Sequence, residues 1–257
     1  MKNSNNISVI KIGGSTLGEG DSTFEDIVTL FKKGWKIILV HGGGKRLTNK
    51  LNELNIQSSF INGLRVTDEK VISIVEDVFI KFNKEIVYAL KNHSSDAKGI
   101  NSKENNIINV KTLSKNLGFV GTPNKINTEV LKKVIKVNEI PVIAPLGLNS
   151  KNQVHNVNAD EIATATASAL NARRLVIISD VAGVLDKDNN LISEINSNKV
   201  KEMIKIGEIS GGMIPKLNNA ISIADKVKGT VIIDGRIIHS ILHELLSDKG
   251  SGTLIRK

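Results

Sequence analysis

The stretch Lys36-Ile37-Ile38-Leu39-Val40-His41-Gly42-Gly43-Gly44-Lys45-Arg46-Leu47 changes character twice in a short span. Consecutive apolar residues from Ile37 to Val40 read as a strand buried on both faces, the mark of a parallel sheet. Three glycines follow, and helical spacing takes over across 45–54. A strand that hands over to a helix through glycines puts backbone N–H groups at a positive helix end, where an anion can sit. The run is not a P-loop: Leu39 stands where the first P-loop glycine belongs, and Arg46 rather than Ser or Thr follows Gly44-Lys45. Nor does it match the dinucleotide fingerprint G-x-G-x-x-G.

The same alternation extends outward. Ile7-Ser8-Val9-Ile10-Lys11-Ile12 reads as a buried strand running into Gly13-Gly14-Ser15. Ser22-Thr23-Phe24-Glu25 has the form of a capping box, opening a helix that carries Phe24, Ile27, Val28 and Phe31 on one face. A long amphipathic helix spans 68–90. The segment 97–120 is weaker and suggests short strands with a hairpin. Helix 128–137, strand 140–144, helix 158–170 and strand 175–178 follow. Helices over 197–206 and 211–226, a strand at 230–233, a helix at 237–246 and an edge strand at 253–255 close the chain. Strands alternating with helices predict an α/β fold, a mostly parallel sheet covered on both faces with ligands at its carboxyl ends. No proline- or serine-rich linker interrupts it. The expected lobes, 1–170 and 171–257, therefore meet at a tight boundary near Asn171.

Composition narrows the function. The chain has 257 residues, 40% hydrophobic and 24% charged, in the range of ordinary globular domains. Without cysteine there is no disulfide, thiolate metal site or cysteine nucleophile. No apolar run approaches the roughly 18 residues of a membrane span, and the polar start Met1-Lys2-Asn3-Ser4-Asn5-Asn6 has no signal-peptide core. A cytoplasmic protein with no membrane partner is expected. The net charge of +9 is spread along the chain, and aromatics are only 3%. That argues against nucleic-acid binding and suits steering of a small anion.

Several segments could carry chemistry. Lys11 beside Gly13-Gly14 sets an ammonium next to approachable backbone N–H groups. Arg65, in Asn62-Gly63-Leu64-Arg65-Val66-Thr67-Asp68, could clamp a carboxylate, or be a surface arginine in a turn with Asp68 as helix cap. In Asn156-Val157-Asn158-Ala159-Asp160-Glu161, Asn158 and Glu161 can cap a helix, while Asn156 could touch a substrate and Asp160 orient basic groups. Ser179-Asp180-Val181-Ala182-Gly183-Val184-Leu185 follows a strand. Ser210-Gly211-Gly212-Met213-Ile214-Pro215-Lys216 opens a helix, with Lys216 near its positive end, where an ammonium is disfavoured without an anion close by. His239 and His243 are four apart, but no H-E-x-x-H motif accompanies them, and a surface helix face is the simpler reading.

Together, in this order and spacing, these segments resemble the amino acid kinase family from Val9 to Ile255. The resemblance implies an open αβα sandwich around a mainly parallel, eight-stranded sheet, with an acyl amino acid in the N-terminal lobe and ATP in the C-terminal lobe. It implies transfer of the γ-phosphoryl group of ATP, with Mg²⁺, to the side-chain carboxylate of N-acetyl-L-glutamate in arginine biosynthesis. By the same resemblance Lys11 and Lys216 neutralise the transferring phosphoryl group from its two sides, and Asp160 holds both lysines. Gly43 and Gly44 offer N–H groups, and Arg65 and Asn156 bind the amino acid. Gly13, Gly14, Asp180, Val181, Ala182, Gly183, Val184, Leu185, Glu208, Ile209 and Ser210 line the nucleotide pocket. No protein metal ligand is expected, the ion riding on the ATP phosphates. A carboxylate nucleophile is ionised at pH 7 and needs no general base, so the task reduces to alignment and charge stabilisation.

The likeness extends to kinases of carrier-linked aminoadipate or glutamate, which the positive charge would suit. A non-catalytic sensor on the same fold is the alternative of another class. Retention of both lysines and Asp160 argues against it. The segment Thr122-Pro123-Asn124-Lys125-Ile126-Asn127 carries no assignable function. A homodimer without arginine feedback is expected. The resemblance implies that arginine-inhibited members of the family form hexamers through an extra N-terminal helix, which the short polar start is not expected to supply. Helix 68–90, with Val71, Val75, Val78 and Phe82, would supply the dimer contact, unless that face packs on its own sheet.

Overall fold

The computed structural model describes residues 6–13 and 21–257. Eight strands form the main sheet in the order Glu194–Asn196, Thr253–Arg256, Thr230–Asp234, Arg174–Ser179, Ile7–Ile12, Lys36–His41, Ile140–Ile143, Ala97–Ile100. The sheet is mainly parallel, as expected. The exception is the antiparallel pairing of Thr253–Arg256 with Thr230–Asp234. The chain divides into two compact units, Ile38–Ala165 and a discontinuous one made of Met1–Ile37 with Thr166–Lys257. This division differs from contiguous lobes at 1–170 and 171–257. The reason is register: Ser8 pairs with Arg174 and Lys11 with Ile177, which ties the first strand to the C-terminal part of the chain.

In the discontinuous unit, Val9, Ile10, Leu175 to Ile177 and Val231 to Ile233 are completely buried. Consecutive burial of this kind is what the unbroken apolar runs dictate. Three expectations change here. The segment 253–255 is not an edge strand: Glu194–Asn196 lies outside it, too short and with too few apolar residues to announce itself. Ser22 caps no helix with its side chain. Its hydroxyl accepts from the His239 N–H at 2.6 Å, and the Thr23 N–H instead finds Asp21 Oδ1 at 2.7 Å. The last helix begins at Ser240 rather than 237, because His239 adopts a left-handed φ of 58° and turns its Nδ1 to Asp26 at 2.7 Å. His239 is thus a partner of a buried carboxylate and not part of a helix face.

In the Ile38–Ala165 unit, helix Glu69–Asn92 is capped by Asp68, which accepts from the Val71 N–H at 2.8 Å. Val71, Ile72, Val75 and Phe79 pack with Leu47, Leu51 and Leu146 in one buried cluster. Phe82 is 2% exposed. The apolar face expected to make a dimer is therefore largely spent inside its own unit. Residues 106–157 hold a feature absent from the sequence reading, a small closed barrel of Val154–Val157, Val120–Ile126, Ile108–Thr112 and Leu146–Leu148. The expected hairpin is its Ile108–Thr112 and Val120–Ile126 pair. The unassigned segment 122–127 lies on the second of these strands up to Ile126, and Thr122 donates to Glu161 Oε2 at 2.9 Å.

Candidate active site

The Ile38–Ala165 unit holds a cavity lined by Gly42, Gly43, Gly44, Arg65, Asn156 and Asn158, with Leu47, Phe60 and Phe79 among its apolar walls. Four residues singled out from sequence, Gly43, Gly44, Arg65 and Asn156, thus meet at one place. Gly43 precedes helix Gly44–Glu53. Its carbonyl accepts the first helical bond, from the Leu47 N–H at 2.9 Å. No side chain caps this end and no acidic residue stands in the first turn. Among the described residues, the positive end of the helix at the cavity is therefore left without a capping side chain or a first-turn acid.

Arg65 reaches this point through a tight hairpin. Phe60–Ile61 pairs antiparallel with Leu64–Arg65, joined by Asn62-Gly63, both at positive φ (50° and 79°). That is the backbone a two-residue Asn-Gly turn is built for. Although only 8% exposed, Arg65 has no carboxylate partner among the described residues. Its guanidinium donates to Ser58 Oγ, to Thr48 Oγ1 at 2.7 Å and to the Gly44 carbonyl at 3.4 Å, and stacks 4.6 Å over Phe60. Burial pulls its pKa down from the ordinary arginine value. A buried cation held by neutral oxygens alone is costly unless a ligand brings the anion. Asn156 donates to Thr67 Oγ1 at 3.2 Å, and Thr67 in turn donates to the Arg65 carbonyl at 2.9 Å. One chain of hydrogen bonds thus ties the Asn156 side chain to the Arg65 backbone.

Asn158 caps helix Ala159–Ala169, accepting from the Asp160 N–H at 2.8 Å. Asp160 lies one residue beyond the cavity lining and is 8% exposed. Glu161 accepts from the Thr122 hydroxyl at 2.9 Å, and burial raises its pKa. Phe60, Thr48 and Ser58 were not among the residues singled out, and His41 was quoted with the glycines without a role of its own. The Asn62-Gly63 turn was the one sequence signal that could have brought Phe60 against Arg65. His41 is fully buried. Its Nδ1 lies 2.6 Å from the Gly42 carbonyl, and burial pushes its pKa down to about 4.

In the other unit, Lys11 and Gly13 stand at the carboxyl end of Ile7–Ile12, and Asp180 directly follows the adjoining strand Arg174–Ser179. Gly14 and Ser15 lie outside the described residues. Within 180–185, Asp180 is exposed, as are Val181 and Leu185 at 39% and 40%. Val184 is core, its N–H held by Thr253 Oγ1 at 2.8 Å. Glu208 and Ser210 are exposed and Ile209 is buried. They lead to helix Met213–Ser222, whose start, like that of Gly44–Glu53, has neither a capping side chain nor a first-turn acid. Lys216 is half-buried on its first turn. Among the described residues no group of three or more histidine, aspartate or glutamate side chains could hold a metal ion, and no helix is long and apolar enough to cross a membrane.

The model of the amino acid kinase family matches residues 6–234. An acetylglutamate kinase of Pelagibacter ubique (strain HTCC1062) is 58% identical over 253 residues, 97% of this chain and 88% of that protein. One from Campylobacter hominis is 43% identical over 257 residues, 98% of this chain and 91% of that one. Among solved structures, smu.665 from Streptococcus mutans UA159 is 30% identical, with a TM-score of 0.84 and 98% of each chain covered.

Proposed function

This chain belongs to the amino acid kinase family, and from that premise we propose that it is an acetylglutamate kinase. It transfers the γ-phosphoryl group of ATP to the side-chain carboxylate of N-acetyl-L-glutamate, a step of arginine biosynthesis. The observation that carries the substrate half of this reading is Arg65, a buried guanidinium lining the glycine cavity with only neutral oxygens around it. An amino acid α-carboxylate supplies the missing anion, with Asn156 beside it.

In this reading a side-chain carboxylate oxygen attacks the γ-phosphorus, and the bond to the β–γ bridging oxygen breaks to release ADP. The nucleophile is already ionised at neutral pH, so no general base is needed. What the protein supplies is alignment and positive potential. Gly43 and Gly44 give backbone N–H groups at a helix start. Lys11 and Lys216 give ammonium charge at a strand end and at a second uncapped helix start, and Asp160 is the buried carboxylate of the charged set. Gly13, Gly14, 180–185 and 208–210 form the nucleotide side. Mg²⁺ held by the ATP phosphates would supply further charge neutralisation there.

The reading carries with it a cytoplasmic homodimer. The apolar residues of helix Glu69–Asn92 are mostly used internally, so any dimer contact there falls to its exposed side, where Tyr88 is 68% exposed. Trapping the product with hydroxylamine tests the reaction. An acyl phosphate gives a hydroxamate that depends on both ATP and N-acetylglutamate. ADP release without a hydroxamate contradicts it.

A further inference from the structure

Resting on the kinase reading above, we propose that His41 is a positioning residue: its imidazole clamps the Gly42 carbonyl and thereby aims the Gly43 N–H into the substrate cavity. His41 ends the strand Lys36–His41 and is completely buried. Its ring sits edge-on to Phe82 at 5.0 Å and to Phe79 at 6.4 Å. Nδ1 lies 2.6 Å from the Gly42 carbonyl oxygen, while Nε2 is buried without a hydrogen-bond partner among the described residues. A carbonyl only accepts, so the proton of the neutral ring resides on Nδ1. A bare buried Nε2 costs free energy, and what the fold gains in exchange is a fixed peptide.

That peptide is the one that matters for the cavity. In a planar trans peptide the N–H points opposite to the C=O. Pulling the Gly42 carbonyl toward the imidazole therefore turns the Gly43 N–H away from it. Gly42, Gly43 and Gly44 all line the cavity, and the Gly43 N–H has no backbone acceptor among the described residues. Phe79 closes the same assembly from the other side. A Cβ on Gly43 would lie 2.6 Å from its Cε1, so the glycine backbone rests on the ring that also flanks His41. Three glycines in succession would otherwise leave this peptide free to rotate. The histidine makes it a preorganised donor for the oxygens on which charge develops.

Two variants separate positioning from packing. His41→Phe keeps a ring in the aromatic slot and loses the donor. His41→Asn keeps an N–H donor at the position of Nδ1 and loses the ring. Misaiming one preorganised donor typically costs about 10²–10³ in kcat. We expect that loss in His41→Phe, with the KM for ATP changed less than about twofold, and activity within about tenfold of the parent in His41→Asn. Melting temperatures should rank the other way, the phenylalanine variant being the more stable. Activity that follows stability, or near-normal turnover by His41→Phe, overturns the proposal. Ring ¹⁵N NMR of the parent gives a readout independent of substrate. Protonated Nδ1 and bare Nε2 at neutral pH are expected, and the opposite tautomer refutes the clamp even if the kinase reading stands. Absence of acetylglutamate turnover by the parent would instead refute the kinase reading, leaving the tautomer to judge the clamp.

Discussion

Replacing Gly43 with alanine inserts one methyl group at the tightest point of the site. The new Cβ would lie 2.6 Å from Phe79 Cε1 and 2.8 Å from Cδ1. To restore an ordinary carbon–carbon contact of about 3.5 Å, the ring must retreat by roughly 0.9 Å. Phe79 is 4% exposed and packed with Leu47, Leu51, Val75 and Leu146, so the retreat compresses a filled core. Overpacking of this kind costs about 1–3 kcal/mol. At roughly 2–4 °C per kcal/mol for a chain of this size, the melting temperature should fall by about 2–12 °C. The neighbouring Gly44→Ala is the control: its Cβ meets nothing within 4 Å and it opens a helix. There alanine is expected to leave stability unchanged or raise it by up to about 1 kcal/mol. Thermal unfolding followed by circular dichroism, with steady-state kinetics on the same samples, reads both. Gly43→Ala should also raise the KM for acetylglutamate, because whatever part of the clash the ring does not relieve must be taken up by the Gly43 backbone that lines the cavity. Equal melting temperatures for the two variants would refute the steric reasoning.

Arg65→Lys should raise the KM for acetylglutamate about 10–100-fold, from lost charge-assisted hydrogen bonds, with little change for ATP. An equal rise in both constants would assign Arg65 another role. Lys11→Ala and Lys216→Ala should each lose about 10²–10³ in kcat while staying folded, and near-normal turnover in either would remove that lysine from the charged set. Two histidines shape stability against pH with opposite signs. The buried His41, lowered from 6.5 to about 4, binds its proton more readily when unfolded. Stability should fall by about 3 kcal/mol as pH drops from 6.5 toward 4. His239, raised by its hydrogen bond to Asp26, contributes stability that is full below its unfolded pKa and is lost as pH rises through its folded value. Urea unfolding across pH 4–9 should show the acid limb flattened in His41→Asn and the alkaline limb flattened in His239→Gln. Parent-like limbs in these variants would contradict the assignments.

The central strands of the main sheet were readable because they are short, continuous apolar runs; Glu194–Asn196 and Ala97–Ile100 are not. Ile37 to Val40 and Leu175 to Ile178 are buried on both faces and cannot be anything else at that length. The barrel was not readable. Its strands Leu146–Leu148 and Val154–Val157 are only 3 and 4 residues long. Pro123 interrupts the Val120–Ile126 strand, and the register shifts at Asn109/Val110. Gly121 and Gly147 both abut Val110, so closure depends on missing side chains that break the alternating pattern. At the site, glycine clusters and Arg65 could be picked out from residue type and spacing. The pairing of His41 with the Gly42 carbonyl could not, since a histidine ending a buried strand looks the same whether it packs or binds. The capping box at Ser22 failed for a long-range reason: its hydroxyl is taken by the backbone of His239, distant in sequence.

The most direct measurement is ADP release in a coupled assay with N-acetyl-L-glutamate, N-acetylaminoadipate and carbamate offered separately at saturating ATP. Turnover with N-acetylglutamate is expected at a kcat/KM at least about tenfold above either competitor, the discrimination that about 1–2 kcal/mol of differential binding supplies. Preference for the aminoadipate would move the chain to the longer-substrate branch. No turnover with N-acetylglutamate, while ATP still binds, would contradict the account.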